Sequence, residues 1–374
     1  MDIRFLGVEV GMTIGIDLRC LPIGKDAGAG IPHVARELTR ALLRIGCRHT
    51  WILFLPELAE FEIEEQALKI PYKFYLKKNS SAGLREALRL YPCDVLFVPS
   101  GAIAFGMSIP AVPVVHDIAI FSHPEWFPQN FFRRQLTTRI CKRGILQAPI
   151  VLSMSDATRV DMLHAFHISE SRIRVIHAGG DSVLAELRGD VLQDAKKRAK
   201  ESVKNIGLNK PFILCLGTLE PRKNISMLLR ARPYPADLVI AGRDGWKCDI
   251  QNIDSHIHRI SELSDIDRRE LLLAADVVAI PSLHEGFGLV ALEAMQAGTA
   301  IVASDVGALP EVIGDAGILI PPLDEHAWSI ALQSLLLDEE KRKMFAFMGK
   351  ERSQNFSWHK SAEITLDALT GALI

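Results

Sequence analysis

The sequence lacks several features that define large classes of proteins. No apolar run approaches the ~18 residues that a membrane-spanning helix needs, and the start has no charged-then-apolar layout of a signal peptide. The six cysteines are scattered, and none forms a Cys-x-x-Cys pair. We therefore expect reduced thiols in a cytoplasmic protein rather than a zinc site or a disulfide framework.

The chain also lacks a strong excess of either charge. Its formal net charge is −2, which argues against general nucleic-acid binding.

A length of 374 residues exceeds one ordinary core and predicts two domains, and the apolar content of 48% is that of a globular protein. Residues 1–11 precede the first predicted strand, with Met12 as an alternative start, so we interpret them as an appendage.

Strand and helix patterns alternate along both halves of the chain. The predicted strands are 12–17, 94–99, 112–116, 150–153, 174–177, 211–217, 237–242, 276–281 and 299–303. Such alternation predicts α/β domains with parallel sheets and ligands at the carboxyl ends of the strands. We predict an N-terminal domain over 1–180 and a C-terminal domain over 181–354. Residues 355–374 would form a last helix that completes the first domain.

The most informative stretch is His284–Gly298, which follows the predicted strand 276–281. It places Glu285 and Glu293 eight positions apart around a Gly-Phe-Gly turn, with helical spacing of apolar residues after the turn. Either glutamate alone is more typical of a helix cap or a solvated helix face. Glu293, however, lies in a helix that reads as mostly buried, and a buried carboxylate needs partners.

This segment resembles the E-x7-E signature of family-four retaining glycosyltransferases. The resemblance continues through 300–315 and over most of the chain, and it implies the GT-B fold, two Rossmann-like doubly wound domains facing across a cleft. It also implies that Glu285 holds the donor sugar and that Glu293 holds the ribose. The backbone of the turn would help to bind the sugar through Gly286, Phe287, Gly288 and Leu289.

A second loop, Gly217–Asn224, follows another buried strand and contains Arg222 and Lys223. Two cations at the carboxyl end of a strand suit a pyrophosphate, although an isolated Arg-Lys pair is more typical of an exposed turn. The resemblance places the pyrophosphate-binding lysine here. Many members also have an arginine where this chain has Thr218. We therefore expect Arg222 and Lys223 alone to supply the positive charge at the pyrophosphate.

In the first half, the resemblance points to a glycine loop and to a histidine at the end of a strand. Within the loop 27–33, the resemblance implies a donor-binding role for Gly30 only, because Pro32 and His33 depart from the family pattern. A plain strand-to-helix turn would explain this loop as well. His116 would touch the donor sugar near the reaction centre, with Asp117 orienting it. The alternative for His116 is a satisfied core residue.

Two further patterns have competing readings. Asp265-Ile-Asp267 mimics a metal-binding Asp-x-Asp, but Glu270 stands three residues after Asp267, so we interpret the segment as a helix capping box and expect no metal site. The basic, partly apolar segment 131–143, in the company of Lys77 and Lys78, fits a solvated helix face. It equally fits a peripheral contact with an anionic membrane that carries a lipid-linked acceptor.

The sequence thus predicts a retaining glycosyltransferase that needs no metal or other cofactor and moves a hexose from a nucleotide diphosphate sugar to a hydroxyl. The acceptor would be a glycan, a lipid-linked molecule or a small molecule, and the location cytoplasmic or peripheral at the inner membrane face. Resemblance of 123–127 and 217–224 to mannosyltransferases favours GDP-mannose as donor. UDP- or ADP-glucose-type donors stay open.

Two other classes of protein are alternatives. A nicotinamide-dependent oxidoreductase should carry Gly-x-Gly-x-x-Gly between strand and helix, whereas Gly28-Ala-Gly30 is followed by no third glycine at the required position. A catalytically silent GT-B binding protein would be favoured by loss of either motif glutamate or of the lysine. All three are present.

Overall fold

The computed structural model describes residues 11–23, 30–62, 71–103, 106–246 and 254–373. They form two compact units. The first comprises the described residues within Met1–Ile118, Asn130–Ala178 and Trp358–Ile374, and the second comprises those within Ala119–Gln129 and Gly179–Ser357. The predicted appendage up to residue 10, residues 27–29 of the glycine loop and Cys248 lie outside the described residues.

The first unit contains a seven-stranded sheet in the order β3-β2-β1-β4-β5-β6-β7, and every neighbouring pair is parallel. Its strands are β1 (Thr13–Asp17), β2 (Thr50–Pro56), β3 (Tyr72–Leu76), β4 (Val95–Val98), β5 (Ala111–Val115), β6 (Val151–Ser153) and β7 (Ile173–Val175). The central strands are continuously apolar, as strands covered on both faces must be.

Helices of the first unit cover this sheet. They are α1 (Ile31–Ile45), α2 (Ser81–Leu90), α4 (Phe131–Gln147), α5 (Asp156–Phe166) and α14 (Trp358–Gly371), while the short α3 (Ala119–Ser122) belongs to the second unit. The rings of His33 in α1 and Trp358 in α14 meet edge to face at 6.3 Å. The last helix therefore packs on the first helix, although the two lie at opposite ends of the sequence.

The second unit contains a six-stranded parallel sheet in the order β10-β9-β8-β11-β12-β13. The strands are β8 (Phe212–Leu216), β9 (Asp237–Ala241), β10 (Ile257–Ile260), β11 (Val277–Ile280), β12 (Ala300–Ser304) and β13 (Ile318–Ile320). The helices are α6 (Ser182–Glu186), α7 (Gly189–Lys204), α8 (Ile225–Ala231), α9 (Asp265–Ala274), α10 (Leu289–Gln296), α11 (Leu309–Ile313), α12 (Glu325–Leu337) and α13 (Glu339–Ser353). Trp328, Leu228 and Leu332 are fully buried in its core.

The structure differs from the sequence prediction in two respects. Segment Ala119–Gln129 groups with the second unit rather than with residues 1–180, and there the indole Nε1 of Trp246 donates to the carbonyl of Trp126 at 2.6 Å. The prediction also omitted four strands. β3, β10 and β13 are short and only partly buried, so they carry no long apolar run, whereas the apolar β2 was simply not assigned.

Strand order reverses at one point in each sheet, between β1 and β4 and between β8 and β11. Outside the carboxyl ends of two such strands the following loops run in opposite directions and leave a crevice that suits a ligand. Within the described ranges, no helix has the combined length and apolarity for crossing a bilayer.

Candidate active site

The loops that follow β8 and β11 meet at the reversal point of the second sheet. The amide of Leu283 donates to the carbonyl of Arg222 at 2.7 Å, which joins the two loops directly. Gly217, directly after β8, has a φ of +142°, and a Cβ there would lie 3.3 Å from Cε of Lys223. The fold thus brings the predicted cationic loop and the predicted glutamate loop together at the crevice.

Glu285 is at the centre of a charge cluster. Its Oε1 accepts hydrogen bonds from Nζ of Lys223 at 2.7 Å and from Oγ of Ser282 at 2.7 Å. Its Oε2 accepts from a guanidinium nitrogen of Arg222 at 3.2 Å. The residue is only 8% exposed. Three donors from two loops therefore fix the position of this buried carboxylate.

Arg222 has a second carboxylate partner. Its Nε and Nη2 donate to Oε1 of Glu220 at 3.1 and 2.6 Å, and its Nη1 also donates to the carbonyl of His284 at 2.8 Å. The cluster of Arg222, Lys223, Glu220 and Glu285 therefore contains two positive and two negative charges. A bound diphosphate would share the two cations with these carboxylates.

The cluster keeps Glu285 ionised. Burial alone would raise the pKa of its carboxyl above the ordinary 4.5, but the charges of Lys223 and Arg222, with hydrogen bonds from Lys223 and Ser282, lower this pKa to about 2. An ionised carboxylate only accepts hydrogen bonds. Glu285 is thus suited to hold hydroxyl groups and is not suited to act as a general acid near neutral pH.

The glycine turn after Glu285 leads into α10 and is tightly packed. Gly288 is the N-cap of α10 with a φ of +98°, and a Cβ there would lie 2.9 Å from Cδ2 of Leu309. A Cβ on Gly307 would lie 2.4 Å from the carbonyl oxygen of Glu285, which also accepts from the amide of Ala308 at 2.9 Å. Neither Gly288 in the turn nor Gly307 beside it therefore tolerates a side chain.

Gly286, Phe287 and Leu289 surround the start of α10. Phe287 is 6% exposed, and its ring meets that of Phe356 at 5.9 Å, so the side chain packs inward. Gly286 precedes it, and Leu289 is the first residue of α10. The first amides of a helix have no partner within the helix and carry partial positive charge. An anion or a hydroxyl at this helix start would meet these amides.

Glu293 lies in the second turn of α10 and is 3% exposed. Sequence reasoning proposed ribose hydroxyls as its partners. The structure supplies a protein partner as well, because a guanidinium nitrogen of Arg268 in α9 contacts its carboxylate. The buried charge is therefore neutralised before any ligand binds.

His116 and Gly30 belong to the first unit. Nε2 of His116 lies 2.7 Å from the carbonyl of Pro99, which only accepts, so this nitrogen carries the proton and Nδ1 is the acceptor. Burial lowers the pKa of the imidazole, and the bond to Pro99 and the charge of Asp117 offset only part of that effect. Gly30 is the N-cap of α1 with a φ of +62°.

The capping box near Asp267 is present, but it lies one turn earlier than predicted. Ser264 is the N-cap of α9, its Oγ accepts from the amide of Asp267, and the Asp267 carboxylate accepts from the amide of Ser264. Glu270 instead accepts from Oγ of Ser202 at 2.6 Å. Ser264 is itself a preferred N-cap residue, and it starts the helix three residues before Asp267.

Sequence reasoning missed three members of these clusters: Glu220, Ser282 and Arg268. Glu220 stands two residues before Arg222 within the motif already singled out, so its position was a usable signal. Ser282 and Arg268 carry no such signal, because their contacts with Glu285 and Glu293 depend on how the loops and α9 pack.

Two family models match the chain, Glycosyltransferase Family 4 over residues 28–182 and Glycosyl transferases group 1 over residues 196–352. The O-antigen chain mannosyltransferase B of Escherichia coli is 30% identical over 69% of this chain and 69% of its own length. The MMP alpha-(1->4)-mannosyltransferase of Mycolicibacterium hassiacum is 32% identical over 70% of this chain and 65% of its own length.

A solved structure, Anabaena HepE in complex with UDP-glucose, has a TM-score of 0.71 at 18% identity and covers 96% of this chain and 100% of that one. This likeness concerns the fold, which is GT-B, as the sequence predicted. The chain belongs to the family-four, group 1 glycosyltransferases and is a glycosyltransferase enzyme.

Proposed function

We propose that this enzyme transfers mannose from GDP-mannose to an acceptor hydroxyl and retains the anomeric configuration. The observation that carries the proposal is the cluster of Lys223, Arg222 and Glu285 at the crevice of the second sheet. Mannosyl transfer is supported by the activities of two relatives, the O-antigen chain and MMP mannosyltransferases. The acceptor would be a glycan, a lipid-linked molecule or a small molecule.

In the proposed reaction, the acceptor oxygen bonds to C1 of the sugar as the bond from C1 to the diphosphate oxygen breaks. The proton of the acceptor hydroxyl passes to that departing oxygen. Lys223 and Arg222 would stabilise the charge that develops on the diphosphate, and the first amides of α10 would add to this effect. The protein otherwise contributes by positioning the reactants.

The remaining residues would orient the donor. Glu285 and the backbone of Gly286, Phe287, Gly288 and Leu289 would hold hydroxyls of the sugar, and Glu293 would hold the ribose. Nδ1 of neutral His116 would accept a hydrogen bond from the sugar, since its Nε2 is engaged with Pro99. Gly30 would contact the donor through its backbone.

Binding and transfer measurements test the proposal together. GDP, UDP and ADP are compared by calorimetry, and transfer is followed with GDP-mannose and a panel of glycan and lipid-linked acceptors. We expect GDP to bind tightest and labelled mannose to appear on an acceptor with retained configuration. Nucleotide binding without either transfer or donor hydrolysis would instead identify a catalytically silent binding protein.

A second donor is favoured by one observation. HepE, which has the same fold, was solved with UDP-glucose. Tighter binding of UDP than of GDP, with glucose transfer from UDP-glucose, would replace the mannose assignment and leave the site roles unchanged. The same comparison with ADP covers an ADP-glucose-type donor.

We predict that turnover needs no divalent metal. Lys223, Arg222 and the start of α10 would supply the positive charge that a metal ion gives to other leaving diphosphates. Asp267 is engaged in the cap of α9, and Asp265 is 57% exposed and 3.6 Å from Arg268. We expect the rate in EDTA, and the rate of the Asp265→Asn variant, to stay within about twofold of the untreated enzyme.

The Asp267→Asn variant is the stability counterpart of this experiment. It removes a negative charge from the first turn of α9, which should lower the free energy of unfolding by about 0.3–1 kcal/mol, while its rate is retained. Activity that chelation abolishes and that Mg²⁺ or Mn²⁺ restores would contradict the metal-independent mechanism.

Helix α4 supports a further proposal, a peripheral contact with an anionic membrane. Its segment 131–147 has five Arg or Lys residues and no Asp or Glu. Phe132, Leu136 and Ile140, spaced four apart and hence on one side of the helix, are 82%, 61% and 39% exposed. A face that combines apolar and basic residues suits anionic lipid headgroups.

We expect the protein to co-sediment with vesicles containing phosphatidylglycerol and to dissociate as salt is raised. The double variant Phe132→Ser, Leu136→Ser should bind at least fivefold more weakly. Ile330→Ser is the matched control, because Ile330 is 55% exposed on α12 in the other unit. Equal loss in both variants, or equal binding to phosphatidylcholine vesicles, would contradict the contact.

A further inference from the structure

Arg268 holds the buried carboxylate of Glu293. The guanidinium lies on α9 and reaches the carboxylate on α10 with one nitrogen, Nη1. The Arg268 side chain is 18% exposed and that of Glu293 is 4% exposed, so solvent screens this pair only weakly. A carboxylate has about four lone-pair sites, and one guanidinium contact therefore leaves acceptor capacity for hydroxyl groups of a ligand.

Arg268 is itself held by Asp181. Its Nη2 donates to Oδ2 of Asp181 at 3.0 Å, and Nε of the neighbouring Arg269 donates to the same oxygen at 2.8 Å. The other oxygen of Asp181 caps α6 by accepting from the amide of Leu184 at 3.0 Å. Asp181 is 2% exposed and fixed on both sides, so it gives Arg268 a rigid anchor.

A second contact ties the same segment to α10. Gln296, three residues after Glu293 and on the same side of the helix, accepts from the amide of Asp181 at 2.8 Å and donates to the carbonyl of Gly179 at 3.0 Å. Gly180 has a φ of +69°, and a Cβ there would lie 2.4 Å from the Gln296 side chain. Residues 179–181, α9 and α10 therefore form one frame around Glu293.

We propose that Arg268 is a positioning residue for the nucleotide-sugar donor, fixing the Glu293 carboxylate for the ribose hydroxyls, with Asp181 fixing Arg268. The proposal rests on the proposed function, in which Glu293 binds the ribose. A glutamate side chain has several rotatable bonds, and holding it in one orientation beforehand lowers the entropy cost of binding. Without Arg268, the buried carboxylate would also lack its counter-charge.

The test separates a ribose-specific effect from a general one. Dissociation constants are measured by calorimetry for GDP, UDP and ADP and for their 2′,3′-dideoxy counterparts. For the preferred nucleotide, we expect Arg268→Ala to weaken binding of the ribose form at least tenfold and that of the dideoxy form less than twofold. Glu293→Gln should give the same pattern, and Arg268→Lys should recover part of the affinity.

Arg269→Ala is the matched control. Arg269 neighbours Arg268 and contacts the same oxygen of Asp181, but its ion pair is with Asp181 and not with Glu293. We expect it to change the affinity for either form less than twofold. Equal losses in Arg268→Ala and Arg269→Ala would overturn the proposal, because the effect would then come from Asp181 and the general packing.

The remaining outcomes separate this proposal from the function on which it rests. If Glu293→Gln removes the preference for the ribose form while both Arg268 variants keep it, the positioning role is overturned and the donor site stands. If the unaltered enzyme binds none of GDP, UDP and ADP, or Glu293→Gln keeps the ribose preference, the ribose role of Glu293 fails and the positioning role fails with it.

Discussion

Glu285→Gln should lower turnover about 100-fold while the affinity for the nucleoside diphosphate stays within about threefold of the unaltered enzyme. Misplacing a reacting sugar by about 1 Å can cost this much in rate, and Glu285 would orient the sugar rather than the nucleotide. The side-chain amide of glutamine would also present hydrogens where Lys223, Arg222 and Ser282 now donate. Steady-state turnover and calorimetric binding of GDP and UDP measure the two quantities.

The affinity for the nucleoside diphosphate shows whether Glu285 acts on the sugar or on the nucleotide. Removing one negative charge from the cluster leaves Lys223 and Arg222 with less competition for phosphate, so the affinity should not fall. Glu220→Gln is the matched control, because it removes a charge that pairs with Arg222 without touching the proposed sugar contact. Equal losses of rate in both variants, or parallel losses of rate and affinity in Glu285→Gln, would contradict the sugar-orienting role.

Lys223→Ala should weaken donor binding or turnover at least tenfold. A hydrogen bond to a charged group contributes about 1.5–3 kcal/mol, which corresponds to a factor of roughly 10 to 150 in binding. The loss should affect GDP and GDP-mannose alike, because the proposed contact is with the diphosphate and not with the sugar. Calorimetric binding of both ligands, together with the donor KM and turnover, measures the effect.

Arg230→Ala controls for loss of a cation nearby in the chain. Arg230 lies on α8, is 58% exposed and pairs with Glu325 on the surface, so its removal should leave donor kinetics unchanged. A thermal unfolding curve shows whether each variant is folded, since Lys223 also pairs with the buried Glu285. Unchanged donor kinetics in folded Lys223→Ala protein would remove the phosphate role from this residue.

The sequence predicted the strand, glycine turn and helix around Glu285 because those patterns are local. The predicted strand 276–281 contains β11 (Val277–Ile280), and Gly298 follows the end of α10 at Gln296. Parallel sheets also followed from local alternation. Edge strands such as β3 and β10 escaped prediction because their half-exposed residues give no clear apolar period.

What the sequence by itself determined is the family, the fold of each unit and the residue types at the crevice. The tertiary structure alone decided which charges meet. Lys223 and Glu285 are 62 residues apart in the chain, and their contact arises because β8 and β11 are neighbours in the sheet. The pairing of Arg268 with Glu293 likewise depends on how α9 packs beside α10. Local sequence patterns carry no information on such contacts, because the contacts follow from strand order and helix packing.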